Sequence, residues 1–287
     1  MKTIIILLLA TLMLGAQEVQ KTQLEGSDVE SEIIKVWGKV EMPGNKTQNQ
    51  EKQLPIKEDG VLRITNVSEP TLELFKIEDA QAPTIIVCPG GAYKILAYNK
   101  CGTDVAKWLN SLGYHAAVLK YRVPNNKAGA FQDIQRAIRK VRHHAEDWGI
   151  ESTKVGLIGF SAGGHLVARA SHSFAHQSYA AIDEIDSLSS RPDFAILVYP
   201  AYLNKGEGVA PEFKEATQVP PTLIVHNKDD YKYIKGSLVY ANKLKEEQLP
   251  HQFLLYETGG HGYGLTSKGD SSVWPQQAQL WLQQLSL

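Results

Sequence analysis

Ser161 stands in a G-x-S-x-G pattern made by five consecutive residues: Gly159, Phe160, Ser161, Ala162 and Gly163. A strand-like stretch, KVGLI, precedes the pattern and an alanine- and leucine-containing helical stretch follows it. This order predicts a sharp strand-to-helix turn with the serine at its tip, where flanking glycines leave room for the neighbouring strand and helix. Backbone N–H groups at the start of the helix then lie near the hydroxyl. The pattern therefore indicates a nucleophilic serine.

A serine needs a base to attack near neutral pH, and in this arrangement an acid and then a histidine follow it in the chain. His261 lies in the loop sequence GGHGYG, after a predicted strand, where glycines allow the loop to carry the imidazole to the serine. Among the other histidines that follow the serine, four fit less well: His165, His172, His226 and His251. The first two belong to the helix after the serine, the third ends a strand immediately before the acid candidates, and the fourth opens a strand. We expect His261 to be the base.

Two adjacent carboxylates, Asp229 and Asp230, come just after the predicted strand TLIVH. Either could orient the imidazole and stabilise its cation. We assign Asp230 as the acid and leave Asp229 open as the alternative.

Attack of such a serine on a carbonyl carbon also needs N–H donors for the developing oxyanion. The sequence CPGGAY follows a predicted strand, and we assign the amides of Gly91 and Ala92 to this role, with the amide of Ala162 as their partner. Tyr93 and Trp274 are candidates for contact with a sugar or acyl group, and packing beneath the loops is the alternative for both. No metal site is expected, because no Cys/His cluster has zinc-ligand spacing, and no cofactor is needed.

Strand-like and helix-like stretches alternate from Pro83 onward. The predicted strands are PTIIVC, HAAVLKY, KVGLIG, FAILVYP, TLIVH and FLLYE, and the predicted helices are TDVAKWLNSLG, AFQDIQRAIRKVRHHAEDW, the stretch after Ser161, Ile234–Glu247 and Pro275–Leu285. Such alternation predicts an α/β fold with a mainly parallel central sheet covered by helices on both faces. Upstream, IIKVWG, VLRITNV and TLELFKI predict an antiparallel N-terminal part of the sheet.

The chain ends and the composition set the context. Residues 1–16 have a lysine, an apolar run and a small-residue site, which predicts a secretory signal peptide and a secreted or periplasmic protein without a stable membrane anchor. Residues 17–31 are expected to be a flexible arm, and residues 32–287 one catalytic domain.

The net charge of −1 gives no basic excess for nucleic acid. Cys88 and Cys101 are expected to be separate thiols rather than a disulfide framework; oligomeric state is not indicated.

Several stretches together resemble the α/β-hydrolases of the acetylxylan esterase and feruloyl esterase type: PTLELF, IIVCPGGAY, VAKWLNSLGYHAAVLKYRVP, QDIQRAIRKVRHHAEDWGI, GLIGFSAGGHL, RPDFAILVYP, PPTLIVHNKDD and GGHGYGL. The resemblance implies a triad of Ser161, Asp230 and His261. It also implies deacylation of decorated plant polysaccharide. This chain departs from the pattern where YKYI follows Asp230 in place of an apolar V-P-like step, and where Ala92 replaces a glycine.

We therefore expect a serine esterase that removes acetyl groups from a polysaccharide such as xylan through an acyl-enzyme. The alternatives are a feruloyl or general carboxylesterase, a peptidase, for which an additional domain would be usual, and a non-catalytic binding protein of the same fold. The only notable segments for a cover over the site are 173–190 and 204–218, which favours an open site.

Overall fold

The computed structural model describes residues 20–22, 31–44, 50–214 and 218–285. The expected signal peptide, residues 1–16, lies outside the described residues. The expected arm, residues 17–31, lies outside them as well, apart from the short strand Gln20–Thr22 and Ser31.

Fourteen strands are present in the described part of the chain. In chain order they are β1 (Gln20–Thr22), β2 (Ser31–Lys35), β3 (Lys52–Leu54), β4 (Arg63–Thr65), β5 (Thr71–Phe75), β6 (Thr84–Cys88), β7 (Leu96–Ala97), β8 (His115–Lys120), β9 (Val155–Phe160), β10 (Phe194–Val198), β11 (Asn204–Lys205), β12 (Gly208–Val209), β13 (Thr222–Asn227) and β14 (His251–Tyr256). Nine of them form one sheet in the order β1-β2-β5-β8-β6-β9-β10-β13-β14.

The six strands from β8 to β14 in this sheet are parallel, whereas β1, β2 and β5 join its edge in antiparallel pairing. The expectation of a mainly parallel sheet with an antiparallel N-terminal part is confirmed. One of the predicted antiparallel strands lies elsewhere. The stretch VLRITNV contributes β4 to a separate three-stranded sheet with β3 and β7, because β4 pairs with those strands and not with β2 or β5.

The helices are α1 (Asp104–Ser111), α2 (Lys127–His143), α3 (Ala145–Trp148), α4 (Ala162–His172), α5 (Ile234–Glu246) and α6 (Trp274–Gln284). Alternate residues of the central strands point to opposite faces, as the period of a strand requires. Ile86 and Leu157 pack with α2, α4 and α5 on one face, and Ile85 and Ile158 pack with α1 and α6 on the other. The sheet is therefore covered on both sides.

Two helices differ from the sequence prediction. The predicted helix through Trp148 is broken at His144, which leaves the helical conformation (φ −95°, ψ 12°) and stacks its ring on that of Trp148. The helix predicted at Thr103 begins instead with a π-helical turn, Asn99–Thr103, which runs directly into α1.

The topology brings the candidate residues to one edge of the sheet. Ligands of open α/β sheets bind beyond the carboxyl ends of the parallel strands. Ser161 follows β9, the Gly91 loop follows the adjacent β6, Asp230 follows β13, and His261 follows the adjacent β14. Four chain segments that are distant in sequence thus end side by side.

Candidate active site

Ser161 sits at a strained strand-to-helix turn. Its backbone has φ 53° and ψ −114°, a conformation that costs free energy in a residue other than glycine and persists only when its surroundings impose it. The Ser161 N–H donates to the Val198 carbonyl at 3.0 Å, and the Ser161 carbonyl accepts from the Ala201 N–H at 3.0 Å. The end of β10 and the residues just after it therefore hold the serine backbone through both its N–H and its carbonyl.

The two glycines of the pattern are required by close backbone contacts. A Cβ on Gly163 would lie 2.0 Å from the Cys88 carbonyl oxygen, and a Cβ on Gly159 would lie 2.3 Å from the Gly163 carbonyl oxygen. Both distances are far below van der Waals contact. The first turn of α4 can therefore pack against the end of β6 only when position 163 has no side chain.

The structure brings Ser161, His261 and Asp230 together. Ser161 Oγ lies 2.8 Å from His261 Nε2, and His261 Nδ1 lies 2.6 Å from Asp230 Oδ2. With Nδ1–H donating to the carboxylate, Nε2 is free to accept the hydroxyl proton of the serine. This is the hydrogen-bond sequence that activates a serine hydroxyl for attack on an acyl carbon.

Asp229, the alternative acid, has different partners. Its carboxylate accepts the N–H of Gly259 at 3.0 Å and the N–H of Gly260 at 2.9 Å. Asn227 donates from its side-chain amide to the Gly260 carbonyl at 2.8 Å. The turn after β13 thus holds the backbone of the loop that carries His261, and the two neighbouring aspartates bind different parts of that loop.

His226 is a residue of the site that the sequence analysis set aside. It is fully buried, and its Nε2 lies 2.9 Å from Asp230 Oδ2, the same oxygen that faces His261. His226 Nδ1 accepts from the Ser237 hydroxyl at 2.7 Å, which leaves Nε2–H as the donor to Asp230. The four-residue spacing between His226 and Asp230 across a tight turn is the sequence signal that could have revealed this contact.

Burial and hydrogen bonds act in opposite directions on these groups. Burial by itself would raise the pKa of Asp230, but the hydrogen bonds from His226 and His261 outweigh it and hold that pKa below its ordinary value. Burial lowers the pKa of His226, in spite of its hydrogen bond to Asp230. Asp230 is therefore an anion and His226 a neutral donor at neutral pH, which suits a carboxylate that must stabilise an imidazolium.

The loop after β6 passes close to the serine. A Cβ on Gly90 would lie 3.2 Å from the Ser161 Cβ, so the backbone of this loop adjoins the nucleophile. Within the described residues, the N–H groups of Gly91 and Ala92 have no hydrogen-bond acceptor. Ala162 is the first residue of α4, where an N–H has no partner within the helix. Three unpaired donors are available on this side of Ser161.

The two candidates for substrate contact are both core residues, and this corrects the sequence expectation. Trp274 is fully buried, donates from Nε1 to the Gly264 carbonyl and packs against Phe160. Tyr93 is only 2% exposed, and its hydroxyl lies 2.8 Å from His165 Nδ1. Neither side chain has a free surface for a ligand. The alternative reading, packing beneath the loops, describes both.

Other aromatic side chains surround His261. The rings of Tyr199 and Tyr233 lie 4.8 and 4.9 Å from the imidazole, between centroids. Tyr233 belongs to the stretch YKYI, where the chain departs from the pattern of similar proteins, and the neighbouring Tyr231 is 87% exposed. The departure therefore places aromatic surface directly beside the candidate base.

His226, Asp230 and His261 also offer nitrogen and oxygen atoms that lie within 4.8 Å of one another, the one such group found among the described residues. Two ligands of a tetrahedral zinc ion, each about 2.0–2.1 Å from the metal, are roughly 3.3 Å apart. The distances of 2.6 and 2.9 Å from the imidazoles to Asp230 are shorter than that and are those of hydrogen bonds. The three side chains are therefore joined by hydrogen bonds through which they share protons. Cys88 and Cys101 are both free thiols and are buried.

A family model and a solved structure are similar to this chain. The model of the BD-FAE family matches residues 72–196, a range that includes the β6 loop and Ser161 and ends before Asp230 and His261. A crystal structure of an acetyl ester-xyloside bifunctional hydrolase from Caldicellulosiruptor lactoaceticus is similar with a TM-score of 0.71 and 28% identity, over 88% of this chain and 96% of that one.

Two curated relatives are similar in sequence. An acetylxylan esterase of Xylanibacter ruminicola is 26% identical over 230 residues, which are 71% of this chain and 45% of the relative. An endo-1,4-beta-xylanase B of Butyrivibrio fibrisolvens is 27% identical over 224 residues, which are 69% of this chain and 35% of the relative. The chain thus spans less than half the length of these relatives. These similarities confirm the expected α/β-hydrolase fold and the resemblance to esterases of the acetylxylan esterase type.

Within the described ranges, no helix combines the length and the apolar character needed to cross a membrane.

Proposed function

We propose that this α/β-hydrolase is a serine esterase that removes acetyl groups from decorated plant polysaccharide such as xylan, through an acyl-enzyme intermediate. The observation that carries the proposal is the continuous hydrogen-bond chain from Ser161 Oγ through His261 to Asp230, with distances of 2.8 and 2.6 Å. The acetyl and xylan parts of the proposal are supported by what the similar proteins are named for.

In the proposed reaction, Ser161 Oγ attacks the acetyl carbonyl carbon while His261 Nε2 takes the hydroxyl proton. The N–H groups of Gly91, Ala92 and Ala162 stabilise the oxyanion of the tetrahedral intermediate. His261 then passes its proton to the leaving sugar oxygen as the carbon–oxygen bond breaks. Water, deprotonated by the same imidazole, releases acetate and restores the serine hydroxyl.

Asp230 acts on the base through its hydrogen bond. It fixes the imidazole with Nδ1–H toward the carboxylate, so that Nε2 faces Ser161, and its negative charge stabilises the imidazolium. His226 and the loop contacts of Asp229 support this geometry without touching the reacting atoms.

Turnover of p-nitrophenyl acetate tests the serine mechanism. Replacement Ser161→Ala should lower kcat by at least roughly 10³-fold, whereas Ser272→Ala, which alters an exposed serine of the same loop region as His261, should retain activity. Retention of turnover in Ser161→Ala would reject the proposed nucleophile.

Substrate preference needs a separate comparison. We expect the wild-type protein to release acetate from acetylated xylan faster than it releases ferulate from methyl ferulate at equal ester concentration. The opposite order would assign the protein to feruloyl esters, and equal low activity on both with high activity on p-nitrophenyl acetate would indicate a general carboxylesterase.

Secretion or periplasmic location is the corresponding proposal for the cell, because a polymeric substrate lies outside it. Cell fractionation followed by N-terminal sequencing of the exported protein should find a chain that begins near Gln17. Activity confined to the cytoplasmic fraction would contradict this location.

A further inference from the structure

Three buried or half-buried side chains from separate segments form a second hydrogen-bond chain behind the candidate oxyanion loop. Tyr93 ends that loop, His165 lies on α4 one turn after Ser161, and Glu212 belongs to the segment 204–218. The Tyr93 hydroxyl lies 2.8 Å from His165 Nδ1, and His165 Nε2 lies 3.0 Å from Glu212 Oε1. Tyr93 and His165 are 2% and 1% exposed, so water has little access to either contact.

The charge states of the three groups permit one direction of donation. The hydrogen bond from His165 lowers the pKa of Glu212 to about 2, so Glu212 is a carboxylate and accepts Nε2–H. Burial lowers the pKa of His165, which stays neutral with a lone pair on Nδ1. Burial raises the pKa of the Tyr93 hydroxyl, which therefore keeps its proton and donates it to Nδ1. Every donor in this chain has an acceptor.

The loop that Tyr93 ends is conformationally strained. Ala92 and Tyr93 have φ values of 57° and 56°, the left-handed region that residues with a Cβ adopt at a cost. Such a conformation persists only when neighbouring structure over-determines it. The Tyr93 carbonyl accepts from the Asn125 N–H at 2.7 Å, and the hydroxyl contact with His165 fixes the other end of the residue. The strained loop is thus held at its backbone and at its side chain.

We propose that Glu212 and His165 are positioning residues for oxyanion stabilisation: they hold Tyr93, and through it the Gly91 and Ala92 amides, in place beside Ser161. The inference rests on the proposed serine esterase function. It assigns a role to Glu212, which lies in one of the two segments that the sequence offers as a cover over the site, and to His165, which cannot reach the reacting hydroxyl as a base. It also explains why a tyrosine, and not a smaller residue, follows the loop.

The test uses three variants of the full chain, with p-nitrophenyl acetate as substrate. Tyr93→Phe removes only the hydroxyl, Glu212→Ala removes the terminal acceptor, and Glu212→Gln keeps an oxygen that can accept from His165. We expect Tyr93→Phe and Glu212→Ala to lower kcat by about 10- to 100-fold, with KM within about twofold of wild type, because one oxyanion donor is worth roughly 10²–10³ in kcat when it is lost completely. Glu212→Gln should recover most of the loss seen with Glu212→Ala.

A second readout separates positioning from a general loss of structure. A small aryl trifluoromethyl ketone adds to the serine as a tetrahedral oxyanion adduct, so its inhibition constant should rise by about the same factor as kcat falls. Loss of fold stability alone would lower the amount of active protein without weakening this inhibitor per titrated active site. Glu207→Ala removes a 93% exposed carboxylate of the same segment and serves as the matched control with wild-type kinetics.

Wild-type kcat and ketone affinity in both Tyr93→Phe and Glu212→Ala would overturn the inference. If Tyr93→Phe does not fold, the Glu212 pair decides, since the side chain of Glu212 is 31% exposed and its loss leaves the core intact. The result for Ser161→Ala distinguishes this inference from the proposed function. If Ser161→Ala is inactive while Tyr93→Phe and Glu212→Ala are fully active, the positioning role is rejected and the esterase proposal stands. If Ser161→Ala is active, the esterase proposal itself is rejected.

Discussion

His226 donates to the same oxygen of Asp230 that accepts from the candidate base, at 2.9 Å, while its own Nδ1 is held by the Ser237 hydroxyl at 2.7 Å. The carboxylate is therefore anchored by a buried neutral imidazole from the strand before it. Because both imidazoles share one oxygen, the charge that Asp230 offers to His261 is already partly shared with His226. This arrangement holds the acid in position beside the candidate base.

Replacement His226→Ala should lower kcat/KM on p-nitrophenyl acetate by about 10-fold, because Asp230 loses the buried contact that orients it. Ser237→Ala leaves the His226 ring and its contact with Asp230 in place, so it should lower kcat/KM by only about threefold. Steady-state kinetics of the two variants measures the difference. Wild-type kcat/KM in His226→Ala would contradict the anchoring role of this histidine.

The two adjacent aspartates should respond very differently to the loss of charge. Asp230→Asn should lower kcat by roughly 10³-fold or more, because an amide at this position favours the wrong tautomer of His261. Asp229→Asn should lower kcat by only about 10-fold, because its remaining oxygen still accepts one of the two loop amides that Asp229 now binds at 2.9 and 3.0 Å. Steady-state kinetics of both variants at one pH measures the difference, and equal losses would contradict the division of roles.

The glycine at position 163 should be irreplaceable for steric reasons. Gly163→Ala places a Cβ 2.0 Å from the Cys88 carbonyl oxygen, so α4 must shift away from β6. We expect a loss of about 2–3 kcal/mol in the free energy of unfolding, together with loss of esterase activity as Ser161 moves relative to His261. Gly208→Ala is the matched control, because a Cβ there meets nothing within 4 Å, and its unfolding free energy should stay within about 0.5 kcal/mol of wild type. Urea denaturation of both variants provides the measurement.

Much of the site could be predicted from local sequence, and the parts that could not be predicted depend on contacts between distant segments. The G-x-S-x-G turn could be predicted because its five residues lie in one strand–turn–helix unit, in which Gly159 and Gly163 contact each other. The choice between Asp229 and Asp230 could not, because both follow the same strand and only the path of the His261 loop distinguishes them. The role of His226 could not be predicted for a similar reason, because it depends on the direction of the side chain at the end of β13.

The roles of the large aromatic residues could not be predicted from local sequence either. A tryptophan at position 274 and a tyrosine at position 93 are compatible with sugar contact and with core packing, and only the three-dimensional neighbours decide. Trp274 is covered by Phe160 and Trp108, and Tyr93 is covered by Tyr121 and His165. Conversely, the small sheet that takes β4 arises from pairing with strands far away in the sequence, which hydrophobic periodicity does not encode.

A half-buried histidine on α4 should make stability depend on pH. Burial lowers the pKa of His172 to about 4, and its Nε2 has no hydrogen-bond partner in the described part of the chain. As the pH falls, His172 of the unfolded chain therefore binds a proton near pH 6.5, whereas His172 of the folded protein does so only near pH 4. The stabilising contribution of this group to the free energy of unfolding is complete above about pH 6.5 and decreases as the pH falls toward 4. Below pH 4 this group causes no further loss of stability. The contribution between these limits is roughly 3 kcal/mol.

Replacement His172→Gln removes this titration while keeping an acceptor for the Tyr240 hydroxyl, which now lies 3.2 Å from His172 Nδ1. The free energy of unfolding, measured by urea denaturation from pH 7 to pH 4, should fall less steeply in the variant than in wild type. The difference between the two slopes isolates the contribution of His172 from the contributions of the other histidines. Parallel curves would show that the folded protein protonates His172 as readily as the unfolded chain does.

The aromatic residue beside the acid should matter for polymer and not for a small ester. Tyr231 is 87% exposed next to Asp230, and the neighbouring Tyr233 packs against the His261 ring at 4.9 Å. An exposed aromatic ring at the edge of a site offers a flat apolar surface on which a sugar ring of a long chain can lie. Tyr231→Ala should lower kcat/KM for acetate release from acetylated xylan by about fivefold and leave p-nitrophenyl acetate within about twofold of wild type. Leu280→Ala, 46% exposed on α6, is the control for loss of exposed apolar surface. An equal decrease on both substrates would place Tyr231 in the support of the catalytic groups, and no decrease on either would remove it from the path of the polymer.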